Sequence, residues 1–387
     1  MKISESEIPI ILSLDPRGII INEGIDTINR HYIYAKRLNG IKEFTKTRYL
    51  ILSSNKRAWK HNLGSNFYQV IRISNSTLNL FLFARKAKKY IQKNELRVEL
   101  IVAGDCWENF WCAVVLSKLL QKRIPIQVQV HGDIADPAWR RINFKNRIRF
   151  FAAKQALVRA TTIRCVSNKQ KLNLVTTFGL NRRKIYVVPV PINVSSTSLH
   201  RKKSPRSIGF IGRIHEDRGI WNFIELVKNL NKQDTSFKLL IAGDGPDRVK
   251  FMRKLEKVIP KNRIRYLGRI SQGKFKSIWK SIGVLVSMAP VESYGRVLRE
   301  SLLAGVPVWA TASSGVLDLL DSAEPGTVKL LDFEGDESNL YKDFESLLKV
   351  KVGPKFRDKF IKENNSYADK LARSWIDTIE NLRNNCC

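Results

Sequence analysis

The sequence predicts an α/β protein made of two consecutive parallel-sheet domains that face each other across a cleft. Three observations lead there. Short β-branched runs alternate with helical periods along the chain, the pattern of βα units around a parallel sheet. At 387 residues the chain exceeds what one common core organises, so two units of about 150–200 residues are expected. Finally, residues 194–206 (VSSTSLHRKKSPR) are polar and lack an apolar period, so they read as a linker, with the domains at 1–198 and 199–366.

Taken in order, the apolar runs at 8–14, 49–52, 68–73, 97–103, 126–131, 162–166 and 185–188 have the length of buried strands. Between them, segments 25–38, 77–92, 109–120, 143–160 and 169–177 carry apolar residues at helical spacing. After the linker the strands are expected at 208–211, 237–242, 263–267, 284–287, 306–310 and 328–331, and a helix at 367–384 closes the series. Ligands are expected at the carboxyl ends of the strands, where such sheets open a crevice. No internal repeat or low-complexity segment appears.

Composition narrows the class. Hydrophobic residues at 43% suit a packed globular protein. The sequence has no run of 18 apolar residues, and Glu5, Glu7, Asp15 and Glu23 occupy the start, so a cytoplasmic protein is expected. Cys106, Cys112, Cys165, Cys386 and Cys387 show neither zinc nor redox spacing, which suits a reducing compartment, and the last two read as plain thiols.

The balance of 68 Lys+Arg against 35 Asp+Glu gives +33, so an anionic partner is expected: nucleic acid, an anionic membrane or an acidic substrate. Between Asp136 and Glu216 there is no acidic residue, while Arg140, Arg141, Lys145, Arg147, Arg149, Lys154, Arg159 and Arg164 crowd one stretch. That stretch reads as a basic face.

Three units in the second half carry chemistry. In Ile208-Gly-Phe-Ile-Gly-Arg-Ile-His-Glu-Asp-Arg-Gly219, a strand runs through Gly212 into a loop and a helix start. Free backbone N–H groups and the positive helix end favour an anion there, and Arg213 and Arg218 are expected to add their charges to the same spot. Leu239-Leu-Ile-Ala-Gly-Asp-Gly-Pro246 is a second strand ending in a glycine turn, with Gly243 and Gly245. The third unit, residues 286–310, holds Glu292 in a loop, Ser293, Tyr294 and Gly295 at a helix start, and Glu300 on the helix. Carboxylates accept hydrogen bonds from vicinal sugar hydroxyls, so one Glu suits a sugar and the other a ribose.

In this order and spacing the three units resemble the GT-B glycosyltransferases of family 4. That family carries a Gly-Arg-Leu…Lys-Gly loop, a Gly-Asp-Gly-Pro turn and two glutamates separated by seven residues before Gly-x-Pro-Val. The resemblance implies two Rossmann-like parallel-sheet domains facing across a cleft, with the last helix packing back on the first. It also implies retention at the anomeric carbon, a nucleotide-diphosphate-sugar donor, no cofactor and no divalent metal. The sequence holds no Asp-x-Asp cluster to grip Mg²⁺ against a diphosphate.

In the first half the likeness is looser. Gly24, ahead of the helix with Arg30 and His31, resembles the family's glycine loop near the donor phosphates. His131, in Val-Gln-Val-His-Gly-Asp133, resembles the strand-end histidine facing the donor sugar. Departures are Arg218 for the usual lysine, Glu23-Gly24 for a double glycine, and Arg296 and Arg299 within the carboxylate unit.

Site residues implied are His131, Arg213, Arg218 and Glu292 for catalysis, and Gly24, Gly212, Gly243, Gly245, Ser293, Tyr294, Gly295 and Glu300 for the donor. Glu300→Ala and Arg213→Ala are both expected to lose transfer. A glycan or lipid-linked acceptor is implied, and the cationic segment 140–164, on the acceptor half, suits an anionic membrane. A basic nucleic-acid-binding protein is the rival from another class, disfavoured because no recognised binding module accompanies the charge. A non-catalytic nucleotide-sugar-binding relative is the second alternative.

Overall fold

The computed structural model describes residues 8–22, 25–41, 47–55, 67–74, 79–192, 205–270, 275–332 and 337–384. Most of the 194–206 linker, Gly24, Cys386 and Cys387 lie outside them.

The first sheet comprises β1 (Pro9–Asp15), β2 (Arg48–Asn55), β3 (Tyr68–Ser74), β4 (Arg97–Ala103), β5 (Ile126–Gln129), β6 (Thr162–Cys165) and β7 (Ile185–Val187). Their order is β3-β2-β1-β4-β5-β6-β7, with every neighbouring pair parallel. The second sheet comprises β8 (Ser207–Ile211), β9 (Lys238–Ala242), β10 (Ile264–Tyr266), β11 (Val284–Ser287), β12 (Val308–Ala310) and β13 (Val328–Leu330). It is also parallel, in the order β10-β9-β8-β11-β12-β13. Strand order therefore reverses beside β1 and β4 in one sheet and beside β8 and β11 in the other, and these switch points open the crevices that hold ligands.

Both faces of each sheet are covered, and the strand period of two distributes the core accordingly. Ile10, Leu12 and Leu14 of β1 pack with helices on one face, and Ile11 packs on the other. In the second sheet Val284 and Val286 share a cluster with Trp309, while Leu285 joins Val308 and Ala310 opposite.

The last helix runs Pro354–Asn384, starting well before the predicted 367. Proline fits the first helical turn, and the charged run after it obscured Phe356 and Phe360, one turn apart. Those two rings join the second sheet's core, whereas Leu371, Trp375 and Ile379 pack under the first sheet. One helix thus ties the two domains together.

Candidate active site

Gly212 ends β8, its N–H donating to Ala242 O at 2.9 Å. A tight turn, Glu216–Arg218, then leads to Gly219 at φ 66°, which opens helix Ile220–Gln233. A Cβ on Gly219 would lie 2.0 Å from Met288 O, so only glycine lets this turn press against the chain leaving β11. That approach brings Arg218 Nη1 within 2.9 Å of Glu292 Oε2. Glu292 Oε1 meanwhile accepts the Gly295 N–H at 3.1 Å. Gly295, at φ 70°, opens helix Arg296–Leu303, and Glu300 projects from that helix into the cleft.

The cleft between the domains is a cavity of about 770 Å³. Gly212, Arg218, Glu292, Ser293, Tyr294, Gly295 and Glu300 of the second domain line it, facing His131 of the first. Its other wall holds Asp15, Arg17, Arg30, His31, Asp105 and Arg164, from or near β1, β4 and β6. The domains touch through a Ser293 Oγ hydrogen bond to His131 O, 2.5 Å, and through Asn173 Nδ2 to Ser314 Oγ, 2.9 Å.

Not every sequence-derived residue reaches the cavity. Arg213 is exposed and paired with Asp217 instead of lying beside Arg218, so the two charges are not brought to one spot. Gly243 and Gly245 stand behind the wall. Cβ atoms there would fall 1.8 Å from Gly212 O and 2.2 Å from Ile214 O, so these glycines let one strand-end loop seat the other. Arg299 is buried, packs over the Tyr294 ring at 3.9 Å and pairs with Asp318 at 3.2 Å, while Arg296 stands 3.6 Å from Glu300.

Arg164 corrects the reading of the basic segment: it is 2% exposed, not on a surface face. Its Nε donates to Val188 O at 2.8 Å, and Nη1 reaches Gln129 Oε1 at 3.3 Å. The signal was its place inside the strand predicted at 162–166, between apolar neighbours. Asp15 was also missed as structure: it accepts the Ile19 and Ile20 N–H groups and the Ser53 hydroxyl.

Electrostatics in the cleft are shaped by enclosure. Solvent still reaches the His131 ring, yet the two domains around it displace bulk water. That desolvation, with Arg164 and Arg30 nearby, pushes its pKa down to about 3. Because Gln129 Oε1 also accepts from Arg164, it must accept from His131 Nε2–H, at 3.1 Å, leaving Nδ1 as the acceptor. His31, bonded through Nδ1 to the Tyr49 hydroxyl at 2.9 Å, is lowered to about 3 by the same burial.

The depressed His31 favours its neutral form in the fold, so its contribution is present above pH 6.5 and is lost as pH falls towards 3. We expect the His31 ring not to titrate between about pH 5 and 8 in an NMR experiment; a midpoint in that range would contradict its burial. Burial likewise raises the Glu300 carboxyl, with Arg296 opposing it.

Asp133 meets the Ser314 hydroxyl across the domain boundary, while its Oδ1 is buried without a partner. Desolvation pushes its pKa up to about 6, so its favourable contribution is full below pH 3.8 and lost as pH rises through 6. Asp133→Asn, which removes the buried charge, should therefore stabilise the protein by on the order of 1–3 kcal/mol at pH 8 and less at pH 4. Urea midpoints at the two pH values measure this, and equal effects would contradict it.

Among the described residues no cluster of three or more metal-ligating side chains occurs. Two parallel sheets meeting at their switch points, with paired Arg218–Glu292 and a second glutamate on the same wall, define a protein of the GT-B class. The chain belongs to the group 1, family 4 glycosyltransferases: Glycosyl transferases group 1 matches residues 193–366 and Glycosyltransferase Family 4 matches 51–196.

Similar proteins include the phosphatidylinositol N-acetylglucosaminyltransferase gpi3 subunit of Schizosaccharomyces pombe, 24% identical over 56% of this chain and 46% of its own. Another is the 2-deoxystreptamine glucosyltransferase of Streptomyces kanamyceticus, 26% identical over 50% and 52%. The chain spans about half the length of these curated relatives. The solved structure of Anabaena HepE in complex with UDP-glucose superposes with a TM-score of 0.61 at 14% identity, covering 97% of each chain.

Proposed function

We propose that this protein transfers a sugar, with retention and without a divalent metal, from a nucleotide-diphosphate sugar to a glycan or lipid-linked acceptor at the cytoplasmic side of a membrane. The observation that carries the reading is the Arg218–Glu292 pair and Glu300 on one wall of a cavity large enough for a nucleotide sugar. Family membership supports transfer chemistry, and the UDP-glucose bound by the Anabaena protein supports a nucleotide donor. The acceptor is less constrained, since the relatives' names include both a phosphatidylinositol and an aminocyclitol.

In this reading Glu300 accepts hydrogen bonds from the ribose hydroxyls, Glu292 holds the donor sugar, and Arg218 turns from Glu292 to the diphosphate. The anomeric carbon loses its bond to the diphosphate oxygen while the acceptor oxygen bonds on the same face. The acceptor proton passes to a departing phosphate oxygen, so no protein nucleophile is required. Arg218 stabilises the charge that grows on the leaving group. His131, neutral and with Nδ1 free to accept, lies where it can orient a sugar hydroxyl.

Glu300→Gln keeps the shape and one carbonyl acceptor but loses the charge-assisted bonds, so donor KM should rise about tenfold with little change in stability. Steady-state kinetics in EDTA measure this, and an unchanged KM would remove Glu300 from the donor site.

A further inference from the structure

Helix Phe144–Arg159 presents two apolar faces, not one. Phe150, Ala153, Ala156 and Leu157 are buried beneath the first sheet's helices. On the opposite side Phe144 is 72% exposed, Ile148 58%, Phe151 67% and Val158 54%. Their spacing of four, three and seven residues puts them on one outward stripe. Among the described residues no large apolar side chain is more exposed than the two phenylalanines.

The stripe is bordered by cations. Helical spacing sets exposed Arg147 and Lys154 along one edge and exposed Lys145 and Arg159 along the other, and the helix holds no carboxylate. A large apolar stripe between rows of cations is the surface of a helix lying in a lipid interface, with its rings at the acyl boundary and long basic stems reaching the headgroups. Nucleic acid would satisfy the cations and stack on the rings but leave the aliphatic Ile148 and Val158 without a partner, whereas a lipid interface takes the whole stripe.

The helix is also tied to the cleft. Trp107 Nε1 donates to Arg149 O at 2.9 Å, Arg149 pairs with Glu108 at 3.3 Å, and Glu108 lies 3.5 Å from Arg17. Arg17 and Asp105, joined at 2.6 Å, line the first-domain wall.

We propose that the outward face of helix Phe144–Arg159 docks on an anionic lipid bilayer, setting the first-domain wall of the cleft beside the membrane. The docking stands independently of the transfer reading, because its test needs no donor.

The test is co-sedimentation of the whole chain with vesicles of phosphatidylcholine alone or mixed with phosphatidylglycerol. The wild type should bind the anionic vesicles, weakly at high salt, and not the neutral ones. Combined Phe144→Ser, Ile148→Ser and Phe151→Ser should weaken binding at least about tenfold, since three exposed apolar side chains no longer leave water. Arg147→Gln with Lys154→Gln should do the same, at about fivefold for each charge removed. Because all five side chains are exposed, thermal midpoints should hold, confirming folded variants. Undiminished binding by the serine variant, or equal binding to both vesicle types, would overturn the proposal. So would a wild-type dimer that the serine variant dissociates while vesicle binding persists, since the stripe would then cover a second copy.

Discussion

Arg218→Ala should lower turnover about 10²–10³-fold, the usual cost of losing one preorganised charge at a developing anion. The Arg218 side chain is 38% exposed and pairs with Glu292 across the loop, so folding should survive its removal. Arg213→Ala provides the internal contrast. Its guanidinium faces Asp217 outside the cavity, so Arg213→Ala should cost less than Arg218→Ala, in place of the loss of transfer that the sequence led one to expect for Arg213→Ala. Arg218→Lys restores the charge at its family position but not the planar fork, so partial recovery is expected. Initial rates with saturating donor measure all three. A larger loss for Arg213→Ala than for Arg218→Ala would mean that the loop rearranges when donor binds.

Trp375→Ala should be the most damaging substitution for stability, at about 3–5 kcal/mol for the missing ring. The indole is fully buried, stacks on Tyr49 at 5.3 Å and donates from Nε1 to Gln127 Oε1 at 2.9 Å. Gln127 in turn donates to Ser374 Oγ at 3.1 Å, so the loss leaves a buried acceptor without its partner. Because the helix carrying Trp375 begins in the second domain's core, its release should also loosen the pairing of the domains. Urea unfolding of the variant should show a lowered midpoint or a second transition; a midpoint within error of the wild type would contradict this account of the helix.

Strands were legible where apolar runs were short and bounded, because burial on both faces of a parallel sheet demands such runs. The helix-opening turns at Gly219 and Gly295 were legible because a strand-to-helix turn at positive φ restricts which residues fit. What the sequence hid was direction. Arg213 and Arg218 are five residues apart in one loop, and only the fold turns one outward and the other towards Glu292. Arg164 read as surface charge, yet it fills the space between Gln129 and the carbonyls of Val188 and Pro189. The Asp133–Ser314 contact joins residues far apart in the chain, and no local pattern announces it.

In the proposed function the cavity holds a nucleotide-diphosphate sugar by Arg218, Glu292 and Glu300 without a divalent metal. A thermal-shift screen of UDP-, GDP- and ADP-sugars in EDTA tests it most directly, since a ligand bound only by the folded form raises its stability. One donor class should raise the melting temperature of the wild type, and Arg218→Ala should abolish the rise while its own unliganded midpoint is unchanged. No shift with any donor, or a shift that appears only when Mg²⁺ is restored, would contradict it.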